Sequence, residues 1–121
     1  LVIAFVMQSY WLFIALVLHL LVTYIVVAGI RIFYYKQRPE HILYKTLVSK
    51  IYSSSFPSLH ATRIGAYIPI FYMIDLRLAI LWTVFLVPVC YSRLALKKHF
   101  LSDVIAGVVI GVIVGLIIIL F

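Results

Sequence analysis

Arg31, Arg38, Arg93, Ser58, His60, His99 and Asp103 are the residues of this 121-residue chain whose types and spacing can do chemistry. They fall in three clusters: Arg31-IFYYKQ-Arg38-Pro39, Pro57-Ser58-Leu59-His60 and Ser92-Arg93-LALKK-His99-FLS-Asp103. A guanidinium presents a planar fork that matches phosphate oxygens, and three of them neutralise a dianion. Ser58 follows Pro57 where a helix would open, a place where unpaired N–H donors and the helix dipole favour an anion. His99 and Asp103 are four apart. If the last helix starts at Phe100 they share a face, and a carboxylate that holds the proton of one imidazole nitrogen leaves the other free as a nucleophile. His60, from another segment, can give a proton to a departing oxygen and later take one from water. Cradle, nucleophile, orienting carboxylate and acid/base together make a phosphoryl-transfer set. Taken singly, each feature has an ordinary reading: a snorkelling arginine, a capping serine beside an interfacial histidine, a local helical His–Asp pair. Their arrival at one face of the molecule is what separates them from those readings.

The elements that must deliver them are set by composition. The chain is 67% hydrophobic and 11% charged, with a mean hydropathy of +1.26. A soluble domain of this size leaves too much surface in water to hide so many apolar side chains. Lipid removes that conflict, and at roughly 20 residues per span the length allows four to five helices in one domain over residues 1–121. The fold expected is an all-α, polytopic transmembrane bundle. A stub to Met7 is followed by a span from about Tyr10 to Ile32, and a basic connection over 36–56 follows that span. Further spans run from about Ser58 to Ile74, Leu78 to Tyr91 and Phe100 to Phe121, with a tight break at Asp75-Leu76-Arg77. In that alternation all three clusters share one membrane face, and of the ten Lys and Arg residues Arg77 alone lies at the other. The net charge of +7 is thus concentrated where an anion would bind, and so apolar a chain is a poor nucleic-acid binder. Gly107, Gly111 and Gly115 extend the spacing of His99 and Asp103 and suit either close packing inside the bundle or a homodimer contact. Cys90 is the sole cysteine, so no intrachain disulfide can form. The chain opens on apolar sequence without a cleavable signal, and one or two N-terminal helices are expected to precede it.

The clusters closely resemble the three signatures of the type 2 phosphatidic acid phosphatase superfamily: Lys-x6-Arg-Pro, Pro-Ser-Gly-His and Ser-Arg-x5-His-x3-Asp. Nine of the eleven specified positions match in order and spacing: Arg38, Pro39, Pro57, Ser58, His60, Ser92, Arg93, His99 and Asp103. The resemblance covers about Arg31 to Asp103 and implies the catalytic core of a six-helix family. It implies His99 as the nucleophile that forms a phosphohistidine, Asp103 as its orienting partner, and His60 as general acid and then base. Arg31, Arg38, Ser58, Leu59 and Arg93 would form the phosphate site, with no metal and no cofactor. Two positions depart. Arg31 stands for Lys, which keeps the charge but broadens the donor. Leu59 stands for Gly, which removes close backbone approach to the ligand. A Pro-Ser-Leu-His variant resembles branches that transfer a phospho-headgroup between lipids.

The function expected is removal of phosphate from an anionic lipid: an isoprenyl diphosphate, phosphatidylglycerol phosphate, phosphatidic acid or lipid A. The expected setting is a bacterial inner membrane with the site on the extracytoplasmic side, although counting basic residues alone would turn it inward. Partners are then the anionic phospholipid or isoprenoid phosphate substrate and membrane lipids, with no nucleic acid. Two rival readings are a lipid phosphotransferase sharing the covalent histidine step and a non-enzymatic anion-binding membrane protein. Lys36, Lys45, Lys50, Lys97 and Lys98 fit an anionic headgroup or anionic lipid in general. Tyr34, Tyr35, Tyr44 and Tyr52 read as an interfacial belt. His19 reads as a helix–helix hydrogen-bond partner. Arg63, one turn beyond His60, is within reach of a diphosphate's second phosphate.

Overall fold

A computed structural model of the chain describes residues 2–41 and 43–121. Among the described residues five helices follow one another: α1 (Val2–Phe33), α2 (Leu47–Ser53), α3 (Leu59–Tyr72), α4 (Leu76–Ala95) and α5 (Leu101–Leu120). The fold is an all-α membrane bundle in which α1, α4 and α5 are long and apolar enough to cross a bilayer. α3 has 14 residues, about 21 Å at the helical rise, and is enclosed by its neighbours rather than matched in length to the hydrocarbon. It packs on α5 most extensively, then on α4 and α1.

The elements differ from expectation at three places. No break follows Met7; α1 is one helix of 32 residues, about 48 Å long. Gln8 and Ser9 do not interrupt it, because the Ser9 hydroxyl donates to the Phe5 carbonyl one turn back, at 2.9 Å. The basic connection contains the short helix α2, which Thr46 opens by accepting the Ser49 N–H while the Ser49 hydroxyl accepts from the Thr46 N–H. The break at 75–77 is a helix start: Asp75 caps α4 by accepting the Arg77 N–H at 2.7 Å.

Packing is inverted relative to a water-soluble protein. The buried apolar set is mostly small, Ala15, Ala61, Ala66 and Ala79 with Val27, Ile70, Val104 and Val114. The large aliphatic and aromatic side chains point outward instead. Buried alongside the alanines are His19, Thr23, Arg31, Ser53, Ser54, Ser55, Ser58, Thr62, His99 and Asp103. In lipid an outward leucine costs nothing, so close backbone approach and internal hydrogen bonds hold the helices together.

The glycine stripe of α5 is turned inward, against α3. A Cβ on Gly107 would meet the Ser58 carbonyl, one on Gly111 the Thr62 carbonyl and Ala66 N, and one on Gly115 the Ala66 carbonyl and Pro69. Gly65 answers from α3, where a Cβ would strike the backbone of Val108. The stripe therefore serves the bundle interior, and it brings Asp103, its first member, onto the start of α3. Gly111→Ala should destabilise the protein by about 1–3 kcal/mol, since the new methyl meets only backbone. Gly29→Ala is the control: nothing lies within 4 Å of a Cβ there, and a mid-helix Gly→Ala change is neutral or stabilising by up to about 1 kcal/mol. Unfolding in detergent micelles, read by circular dichroism, measures both.

Candidate active site

The end of α1, residues 34–41, α2, the start of α3, the end of α4 and the start of α5 meet at one end of the bundle. The chain after α1 is tied to the chain before α3 by a short antiparallel bridge between Gln37 and Ser54. Ser55 N–H donates to the Lys36 carbonyl at 2.7 Å, and the Lys36 N–H to the Ser54 hydroxyl at 3.3 Å. Arg31, in the last turn of α1, is 4% exposed and gives one terminal nitrogen to the Ile51 carbonyl and the other to the Pro57 carbonyl, each at 2.8 Å. Lys50 Nζ returns to the Ile32 carbonyl at 2.8 Å and satisfies the end of α1. Together these bonds set the stretch 51–58 as a floor beneath the basic residues.

His99 lies just before α5, and 3% of it is exposed. Its Nδ1 is 2.7 Å from the Ser55 carbonyl oxygen. A carbonyl only accepts, so Nδ1 carries the proton and Nε2 keeps its lone pair. The expected Asp103–His99 hydrogen bond is replaced by an indirect link. Asp103 Oδ1 accepts from Lys36 Nζ at 2.6 Å, and Oδ2 accepts from the Ser55 hydroxyl and, at 2.7 Å, from the Phe100 N–H. Asp103 thus holds the residue whose carbonyl holds His99. The physical reason is the helix boundary: Phe100 is the extended N-cap of α5, so His99 precedes the helix and the four-residue spacing does not place it on the helical face. Asp103 spends its second oxygen on the Phe100 N–H at the start of its own helix.

Burial first, and then the fields of Arg38, Arg31 and Arg93, push the His99 imidazole down to about 4, against the opposing pull of its bond to Ser55. His60, exposed in the first turn of α3, feels Arg93, Arg63, Arg31 and Arg38. Both histidines lie within the fields of the same three arginines, Arg31, Arg38 and Arg93. Ser58, fully buried, takes another part: its hydroxyl accepts the Ala61 N–H at 3.4 Å, and its own N–H donates to the Asp103 carbonyl at 3.1 Å. The N–H groups of Leu59 and His60 open the first turn of α3, where a helix has donors to spare for an anion.

Arg38 gives one terminal nitrogen to the Tyr52 carbonyl at 2.6 Å. It also lies 3.7 Å from Glu40, whose two oxygens each take Lys98 Nζ at 3.0 Å. The Lys98 hydrogen bond, more than the other charges, holds the Glu40 carboxyl below the usual carboxylate range. Among the described residues four arginines, Arg31, Arg38, Arg63 and Arg93, keep a buried Nε without a protein partner. Among the described residues no three His, Cys, Asp or Glu side chains gather as metal ligands. The arrangement offers a fixed neutral imidazole, a second histidine and unsatisfied guanidinium donors, which can bind and attack a tetrahedral oxyanion. Ser55, Lys36 as a partner of Asp103, and Glu40 were not identified from sequence. The signal was present for Ser55: three consecutive serines in an apolar chain are small donors that need internal partners.

The chain belongs to the PAP2 superfamily, whose family model matches residues 11–121. Members of that superfamily are metal-independent phosphatases, and this protein is an enzyme that hydrolyses phosphoric esters. No curated protein and no solved structure gives a significant match.

The tautomer and the low basicity of His99 are directly measurable. In protein labelled with 15N-histidine, with His99→Gln for assignment, the His99 ring should be neutral with Nδ1 protonated at pH 7 and should titrate at about 4. Titration near 6.5, the unperturbed value, would show that neither the burial nor the arginine fields act on it as described.

Proposed function

We propose that this enzyme removes a phosphate from an anionic membrane lipid by way of a phosphohistidine on His99 Nε2. The supporting observation is the bond from His99 Nδ1 to the Ser55 carbonyl, which fixes the ring with its free nitrogen unprotonated amid Arg31, Arg38 and Arg93. An imidazole in that state is a nucleophile that needs no base to activate it.

In the first step Nε2 attacks phosphorus and the bond to the leaving oxygen breaks. Arg38, Arg93 and the Nε of Arg31 hold the equatorial oxygens, with the first N–H groups of α3, at Leu59 and His60, below them. Ser58 shapes this turn through its cap. His60 gives its proton to the leaving oxygen, and in the second step removes one from the water that releases inorganic phosphate and restores His99. Asp103 is a positioning residue that works through Ser55. The charge on Lys36 lets it remain ionised in a dry site.

The lipid reading rests on the location of the site at the end of three apolar helices whose outer faces would lie in the hydrocarbon. A substrate held there keeps its chain in the bilayer while its head reaches the arginines. Candidates are an isoprenyl diphosphate, phosphatidylglycerol phosphate, phosphatidic acid and the phosphate of lipid A. The proposed setting is a bacterial inner membrane with the site on its extracytoplasmic side, where the basic residues serve phosphate rather than topology.

Purified protein and a panel of these lipids, with inorganic phosphate measured beside lipid products, test the reading; phosphate appearing only on a second lipid would make the enzyme a transferase. His99→Ala should abolish phosphoenzyme on every substrate. His60→Ala should slow phosphoenzyme formation from an alkyl phosphate by about 10²–10⁴-fold, the usual worth of a general acid, and much less from an aryl phosphate, whose anion leaves unaided. Quench-flow with labelled substrates reads that step alone. An equal loss on both would remove His60 from the acid role.

A further inference from the structure

Arg63 stands one turn inside α3, three residues beyond His60 and on the same face. It is half-buried, its Nε is shielded from solvent, and among the described residues it makes no hydrogen bond or ion pair. The chain has three carboxylates, and each is placed elsewhere. Glu40 is held by Lys98 and Arg38, Asp103 by Lys36, Ser55 and Phe100, and Asp75 caps α4 at the opposite end. Along α3 Arg63 lies between His60, three residues before it, and Tyr67, four residues after it, whose ring is paired with the buried His19 at 4.0 Å. A guanidinium at that depth without a counter-charge is a functional candidate, because lipid offers it none.

The direction of the reaction says what that counter-charge is. In an in-line displacement the leaving oxygen lies opposite the attacking nitrogen of His99, and in the mechanism proposed above His60 protonates it. A group carried by that oxygen is then within one helical turn of Arg63, which shares a face of α3 with His60. A phosphate monoester would put hydrocarbon or glycerol against an unpaired cation. A diphosphate puts an anion there.

We propose that Arg63 seats the second phosphate of a lipid diphosphate, an assignment that rests on the phosphatase reading above and narrows its substrate class. His99 Nε2 attacks the terminal phosphorus and the bond to the bridging oxygen breaks. That oxygen takes the His60 proton and departs as part of a lipid monophosphate held by Arg63. Water then cleaves the phosphohistidine to inorganic phosphate. Arg63 offers the fork geometry that suits phosphate oxygens, and its three-residue offset from His60 corresponds to about 4.5 Å along the helix.

The test compares farnesyl diphosphate with farnesyl monophosphate, which share one chain, as substrates of the full chain in detergent micelles. For Arg63→Met the ratio of kcat/KM, diphosphate over monophosphate, should fall about 10–100-fold, the worth of a charged hydrogen bond. Arg63→Lys should recover part of that ratio, since it keeps the charge and loses the fork. Retained monophosphate turnover in either variant reports a folded site. An unchanged ratio in Arg63→Met, or a wild type that turns over the monophosphate and not the diphosphate, would overturn the proposal while leaving the phosphatase reading in place. Turnover of either substrate by His99→Ala would count against the phosphohistidine reading and leave the assignment of Arg63 to be judged by the ratio alone, so the two failures are distinguishable.

Discussion

A carboxylate buried in a membrane protein must be surrounded by donors, because neither water nor lipid will solvate it. Asp103 meets that demand with three: Lys36 Nζ, the Ser55 hydroxyl and the Phe100 N–H. These come from the chain after α1, the chain before α3 and the cap of α5. Its own carbonyl receives the Ser58 N–H, which opens α3. The need of one charge for hydrogen bonds thus fixes the relative positions of the segments that carry chemistry. Replacing the donors by apolar groups would leave a charge unsatisfied in a dry interior, a far larger penalty than the loss of an exposed ion pair. The position of Ser55, and through it the orientation of the His99 ring, follows from that constraint.

The second constraint is steric and lies deeper. α3 and α5 approach until backbone meets backbone, with Gly107, Gly111 and Gly115 set against Ser58, Thr62 and Ala66. Thr62 turns its hydroxyl back to the Ser58 carbonyl at 2.8 Å, so its polar atom is satisfied without widening the gap. A helix pair held so closely has little freedom to rotate or slide. The glycines and Asp103 lie on one line of α5, which makes the close contact and the buried carboxylate parts of a single face.

Much of this was legible in the sequence, for definable reasons. Hydropathy gave the bundle and the shared basic end, because lipid imposes a period of apolar length that loops cannot imitate. The family signatures marked His99, His60 and the arginines. Helical spacing then misled at one point: it joined His99 to Asp103, whereas the extended N-cap Phe100 stands between them and breaks the helical relation. Ser55 was only half legible: the serine run offered a donor, but the other half of its role belongs to a backbone carbonyl, and every residue has one. Arg31 carries the right charge in the right place, yet its two terminal nitrogens are taken by the Ile51 and Pro57 carbonyls, partners that only the folded turn before α3 brings near. The stub expected before Gln8 failed because one serine satisfied by its own helix does not end a helix.

The donors that meet at Asp103 are separated from it by as many as 67 positions along the chain. α5 follows every other segment it ties together, so in a protein made from its N-terminus onward the arginines and His60 enter the membrane before their organising carboxylate exists. Until α5 is inserted, the Ser55 hydroxyl has no carboxylate to anchor it, and nothing fixes the Ser55 carbonyl against the His99 ring. An incomplete chain carries a basic, anion-attracting end that cannot cleave what it attracts. Reactivity is therefore acquired in the same event that seats α5 against α3, and a chain made only as far as α4 is chemically silent.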